Sequence, residues 1–259
     1  MASFGTDVGP RWCEHLGKGG KAALQLFCFP YAGGSADVYR SWQRSLAPDC
    51  DLCLVHLPGR GRNIREQAFT SLGPLVQVLA NCIREEAAGQ PYALYGHSMG
   101  ALIAFELARV LSQRGIRGPE HVFVSGRSAP DWPRKSQPIF GLPQDEFISA
   151  LRKLNGTQPE VLDDPAVFSL FVNVMRADFE LADTYQFCPR EPLACPITAY
   201  GGLDDEHVPV ESCYAWRKHT VATCRVRMFA GNHFFIRNPG SEFINALRND
   251  VLSAVPTAQ

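Results

Sequence analysis

The sequence predicts an α/β fold: a mostly parallel, doubly wound sheet with an inserted helical lid. Three observations carry this. Several short segments are apolar on both faces, as strands covered by helices on two sides must be. These segments alternate with stretches that carry apolar residues at helical spacing. One region, from about 130 to 190, breaks the alternation and holds Pro-punctuated helical pieces with no strand candidate.

The elements follow in order. Leu24 to Phe29 is the first strand candidate and ends in a turn at Gly33-Gly34. Leu52 to Leu57 is the second, stopped by Pro58-Gly59. Leu72 to Glu86 places Leu72, Leu75, Val76, Leu79 and Ile83 on one helical face. Tyr92 to Tyr95 is the third strand and Ala101 to Ser112 a strongly helical stretch. His121 to Ser125, Ile197 to Tyr200 and Arg225 to Phe229 are the remaining strands, and helices follow the last two near Val210 to His219 and Ser241 to Leu252. Within the insert, Gln144 to Leu154 and Pro165 to Tyr185 are helical. The 259 residues are therefore expected to form a single domain, residues 1–259, with the lid at about 130–190.

Composition narrows the function classes. Hydrophobic residues make up 46% and charged residues 20%, enough for a sizeable core. A formal net charge of −1 gives no reason to expect nucleic acid or an anionic membrane as a partner. Met1 to Pro10 has neither a basic start nor an apolar stretch, so no secretory signal and a cytoplasmic location are expected. The nine cysteines are scattered through apolar stretches and read as reduced and mostly buried. Cys50, Cys53 and His56 resemble a ligand string, but residues three apart on a strand face opposite ways, so no metal is expected there.

The sharpest motif is Gly96-His97-Ser98-Met99-Gly100, between a strand and a helix. That context makes it a nucleophile elbow, and it specifies the predicted fold as an α/β-hydrolase. Ser98 is the nucleophile; a hydroxyl needs a base, and in this fold the acid and the base follow it in the chain. His233, in Gly231-Asn232-His233-Phe234-Phe235 after the last strand, is the base. His97 is expected to pack under the turn. Asp205 is the orienting carboxylate, fitting G-x-x-D-x-x-V from Gly202 to Val208, with its neighbour Asp204 the alternative. The oxyanion hole needs two backbone donors: Met99 N–H is one, and Tyr31 or Ala32 in the Gly-rich loop supplies the other.

Taken together, these motifs resemble the type II, editing thioesterases of polyketide and nonribosomal peptide synthesis. The matching segments are Phe29-Pro30-Tyr31-Ala32-Gly33-Gly34-Ser35, Leu57-Pro58-Gly59-Arg60-Gly61-Arg62, the Ser98 elbow, Ser125-Gly126-Arg127-Ser128-Ala129-Pro130, Leu154-Asn155-Gly156-Thr157-Gln158-Pro159, Arg176-Ala177-Asp178-Phe179 and Gly231 to Phe235. The resemblance spans about Leu24 to Leu252. It implies hydrolysis of acyl or aminoacyl thioesters from the phosphopantetheine arm of an acyl or peptidyl carrier protein, removing stalled or mis-primed chains. No cofactor is implied, because the phosphopantetheine belongs to the carrier, and the enzyme is taken to be a monomer. The lid's Phe140, Phe171 and Met175 are candidates to line an acyl tunnel, or else they pack the lid onto the sheet. Arg60, Arg62 and Arg65 either meet the carrier's acidic surface or form a solvated turn. Two rival functions remain: another hydrolase, such as a carboxylesterase or a chain-terminating thioesterase, and a hydrolase-fold binding protein. The start at Met1 without a carrier-like domain favours a discrete enzyme.

Overall fold

A computed structural model of the chain describes residues 12–17, 22–134 and 137–256; the Met1 to Pro10 segment lies outside the described residues. Among the described residues there are seven strands: β1 (Cys13–His15), β2 (Leu24–Phe29), β3 (Cys50–Val55), β4 (Tyr92–His97), β5 (His121–Ser125), β6 (Ile197–Gly202) and β7 (Cys224–Phe229). They form one sheet in the order β1-β3-β2-β4-β5-β6-β7. All neighbours pair in parallel except β1, which runs antiparallel along β3 with Cys13 opposite Val55.

Six of these strands fall where the apolar runs predict them, with ends shifted by up to two residues. β1 was not predicted. Its three residues, Cys13-Glu14-His15, carry too little apolar signal for a strand, and only the free edge of β3 recruits them. The helices are α1 (Gln43–Leu46), α2 (Leu72–Ala87), α3 (Met99–Gln113), α4 (Gln144–Leu154), α5 (Pro159–Asp163), α6 (Pro165–Asp183), α7 (Val210–Tyr214) and α8 (Ser241–Ser253). The Val210 to His219 stretch continues past α7 as a 3-10 turn over Ala215–His219. α6 begins sharply because the Asp164 carboxylate accepts the Ala166 and Val167 N–H groups and Pro165 follows at the first helical position.

Strand residues alternate between two cores. Phe27, Cys53, Leu94 and Val122 face α2 and α3, where they meet Leu79, Ile83, Leu102 and Phe105. Leu26, Cys50, Leu52, Tyr95 and Phe123 face the other way, towards Trp42, Phe243 and Leu247. Cys50 and Cys53 therefore lie on opposite faces of the sheet. A third cluster, Phe147, Leu151, Leu162, Phe168 and Met175, holds α4, α5 and α6 to one another.

Parallel pairing brings the C-terminal ends of the strands to one edge. Phe29 pairs with Gly96, His97 with Ser125 and Gly202 with Phe229. Loops leaving an open α/β sheet at that edge are where ligands bind. Among the described residues, no helix is long and apolar enough to cross a membrane.

Candidate active site

Ser98 occupies the turn between β4 and α3 with φ 54° and ψ −112°. Positive φ is unfavourable for a residue with a Cβ, and such strain persists only where the surroundings enforce it. Here the close backbone packing that the flanking glycines permit holds it. A Cβ on Gly96 would lie 1.9 Å from the Gly100 carbonyl oxygen, and a Cβ on Gly100 would lie 2.2 Å from that of Phe29. Both glycines are thus required by backbone contacts that no rotamer change relieves. Replacing Gly96 with alanine is expected to cost more than about 4 kcal/mol, since backbone atoms must separate by more than an ångström. The readout is soluble yield and thermal unfolding; a wild-type melting temperature would mean that the turn is not built this way.

Asp205 follows β6 and His233 follows β7. The His233 Nδ1 and Asp205 Oδ2 atoms are 2.6 Å apart. The other Asp205 oxygen accepts the backbone N–H groups of His207 at 2.9 Å and Val208 at 3.2 Å. Burial raises the Asp205 carboxyl and is the largest single influence, but the hydrogen bond and charge of His233, helped by the His207 N–H, outweigh it. The net shift is downward from the ordinary 3.8. Asp204 is exposed, and its N–H donates to the Gly231 carbonyl at 3.0 Å. The carboxylate that meets His233 is therefore that of Asp205.

His97 packs beneath the turn. It is fully buried, its Nδ1 lies 2.9 Å from the Ser125 hydroxyl, and its ring centre lies 5.0 Å from that of His233. Burial first, and the neighbouring His233 second, hold its pKa well below 6.5, so it stays neutral. Of the other histidines, His56 meets Glu14, His121 meets Thr198 and His219 meets Asp131.

One cleft is lined by Ser98, Met99, Ala32 and His233. As the first residues of α3, Met99 and Gly100 have N–H groups with no carbonyl a turn earlier to accept them. Of the two loop candidates, Ala32 faces the cleft, whereas the Tyr31 ring is buried against His97 and Phe234 and its hydroxyl accepts from Arg237. On the lid side the cleft is lined by Ile139, Leu154, Phe179 and Ala182. Phe140, Phe171 and Met175 are outside this lining. Phe171 and Met175 pack in the lid's own cluster, and the Phe140 carbonyl accepts from Arg176. The periodicity marks a helix's apolar face but not which of two apolar surroundings it meets.

Arg127 also lines the cleft, half-buried, and its carbonyl accepts from the Trp216 indole N–H at 2.9 Å. Its guanidinium has no hydrogen-bonding partner among the described residues, and burial, then the nearby Arg134, pull its pKa down to about 10. Arg60 belongs to neither of the two surroundings considered for it. It is 7% exposed and forms a forked ion pair with Asp178 on α6, at 2.7 and 2.6 Å. Arg62 is paired with Glu14. Neither residue is a free cation awaiting a partner.

A hydroxyl on a strained strand-to-helix turn, followed in the chain by an aspartate and a histidine joined on later loops of the same sheet edge, defines an α/β-hydrolase. Residues 24–250 match the thioesterase domain family, and the chain belongs to it: this protein is a thioesterase, a hydrolase of thioesters. It is 41% identical over 234 residues to Gramicidin S biosynthesis protein GrsT of Aneurinibacillus migulanus, covering 90% of this chain and 91% of that one. It is 39% identical over 253 residues to Linear gramicidin dehydrogenase LgrE of Brevibacillus parabrevis, covering 96% and 95%. The oxidoreductase term in that second name belongs to that relative; the family matched here is a thioesterase. Among solved structures, the type II thioesterase BorB from the borrelidin biosynthetic cluster superposes with a TM-score of 0.84 at 34% identity, over 96% of this chain and 99% of that one.

Proposed function

We propose that the protein removes acyl and aminoacyl groups from the phosphopantetheine arm of a carrier protein in nonribosomal peptide or polyketide assembly, through an acyl-enzyme on Ser98. The observation that carries the mechanism is the 2.6 Å contact between His233 Nδ1 and Asp205 Oδ2, opening on the cleft that Ser98 lines. With Nδ1 donating to the carboxylate, Nε2 is left as the acceptor for the serine proton.

The Ser98 oxygen attacks the thioester carbonyl carbon while His233 Nε2 takes the hydroxyl proton. The carbonyl oxygen becomes an oxyanion, held by the N–H groups of Met99 and Ala32. The carbon–sulfur bond breaks, the sulfur receives the proton from His233, and the arm leaves as a thiol. Water then attacks the Ser98 ester, giving its proton to His233. The free acid departs and the serine regains its proton. Helices α4, α5 and α6 act as a lid over this centre, and the apolar Ile139, Leu154 and Phe179 receive the acyl chain. The identity with GrsT and the likeness to BorB support the carrier-bound substrate. The setting is cytoplasmic, beside the synthase.

The test is a panel of acyl-loaded carrier proteins read by mass spectrometry, run beside p-nitrophenyl esters. Release of free acid, with kcat/KM at least about tenfold higher for carrier thioesters than for esters of the same acyl group, is expected, since binding of the remote carrier and arm assists the reacting centre. Faster ester turnover would make the protein a carboxylesterase. Failure of a fluorophosphonate to label Ser98 would make it a binding protein.

A further inference from the structure

Three residues of α6 rest on the two Gly-rich loops that flank the site. Met175 lies against Gly33, where an added Cβ would be 3.2 Å from its Cγ. Val174 lies equally close to Gly59. Asp178, one turn further along α6, makes polar contacts with both loops. Its Oδ2 accepts the Gly33 N–H at 2.7 Å and the Arg60 Nη1 at 2.7 Å, and its Oδ1 accepts the Arg60 Nη2 at 2.6 Å. The same Arg60 Nη1 donates to the Gly34 carbonyl at 3.2 Å. Both side chains are almost wholly buried, at 8% and 3% exposure.

The ion pair thus grips the loop on either side of one peptide, through the Gly33 N–H and the Gly34 carbonyl. Ala32 precedes that grip directly. Gly33 has φ 72° and brings no side chain of its own to hold the backbone, so the loop's path depends on what holds it from outside. A buried pair of this kind contributes little net stability but fixes geometry strongly when fully hydrogen-bonded.

We propose that Arg60 and Asp178 are positioning residues for the thioesterase reaction. Through Gly33 and Gly34 they hold the Ala32 N–H where the oxyanion forms, so that the seating of lid helix α6 and the completion of the oxyanion hole are one event. The inference rests on the reading of Ser98 as nucleophile and Ala32 as donor.

The test uses the full chain with hexanoyl-N-acetylcysteamine as substrate and hexylboronic acid as a mimic of the tetrahedral intermediate, with rates normalised to the fraction of molecules labelled by a fluorophosphonate. Asp178→Asn keeps the shape but loses the charged fork. It is expected to lower kcat by up to about a hundredfold, as a displacement of about an ångström at a reacting centre does. Boronate affinity should fall in parallel. Substrate dissociation constants measured in the Ser98→Ala background should change by less than about threefold, because uniform binding is untouched.

Arg60→Lys, which retains the charge without the fork, serves as the second variant should Asp178→Asn fold poorly. Its loss is expected to be smaller, and the double variant should lose no more than about the larger single loss, as two residues acting as one unit do. A normalised kcat within threefold of wild type in both variants, or a lowered kcat with unchanged boronate affinity, would overturn the proposal. Full activity of Ser98→Ala would instead overturn the nucleophile assignment on which it rests.

Discussion

Ser98→Ala will abolish thioester hydrolysis, lowering kcat by about 10⁵ to 10⁶-fold, while carrier binding changes little. Nucleophile and base act as a unit, so removing either costs nearly everything the chemistry supplies, and what survives is oxyanion stabilisation of a direct attack by water. The effect should be confined to the chemical step. Ser98 is held by backbone: its N–H donates to the Ser125 carbonyl at 2.8 Å, and its carbonyl accepts from Ala101 and Leu102. Alanine keeps all three contacts, and the positive φ is no harder for alanine than for serine. The measurement is single-turnover hydrolysis of an acyl-loaded carrier with intact-protein mass spectrometry. Wild type should pass through an adduct on Ser98, and the variant should show none. Residual turnover above about 1% of wild type would rule out the acyl-enzyme route, because attack by water through the oxyanion hole alone is orders of magnitude slower.

Asp205→Asn will cost about 10⁴-fold in kcat, and Asp204→Asn less than about threefold. The two residues are adjacent in sequence and share the same local composition, but their surroundings differ. Asp205 is buried and accepts from His233 and from two backbone N–H groups; Asp204 is exposed. An amide at position 205 can present its NH2 to His233, which selects the wrong tautomer and leaves Nε2 carrying the proton it should accept. Because the Asp205 pKa is lowered in the folded protein, its contribution to stability is complete above the ordinary 3.8 and is lost as pH falls through the lower folded value. The Asp205→Asn protein should therefore show a flatter loss of stability with acid below about pH 4. Both readouts are needed: equal rate losses at 204 and 205, or the reverse order, would remove Asp205 from the proposed mechanism.

These expectations separate what is local in the chain from what is not. The strands β2 and β5 begin and end where the apolar runs do, at Leu24 and Phe29 and at His121 and Ser125. The Leu26 to Phe29 and Val122 to Val124 runs are buried on both faces, and those unbroken apolar stretches mark the two strands. The β4 elbow is equally legible through its G-x-S-x-G pattern, although only Gly96 answers a local clash, with the Gly100 carbonyl, while Gly100 makes room for the Phe29 carbonyl at the end of β2. β1 is not legible, because a short polar strand exists only by virtue of the edge it joins. Arg60 is a second such case. Its sequence neighbours are glycines and arginines, which read as a solvated basic turn, yet its partner lies 118 positions away on the lid. The apolar lid residues are a third: α6 offers apolar side chains to both its own cluster and the cleft, and helical periodicity does not distinguish them.

From its residues alone, then, this chain determined a parallel sheet with two covered faces, a nucleophile elbow and the order in which serine, acid and histidine follow one another. The sheet rests on apolar periodicity and the elbow on backbone sterics, and the order follows from the strands after which the acid and the histidine come. The tertiary structure decided which aspartate meets His233, which lid residues face the cleft, and that Arg60 and Asp178 join the lid to the loop carrying Ala32. Those outcomes depend on which distant segments arrive at the same place, and a buried charge or a carboxylate rotamer is set by the partner it finds there.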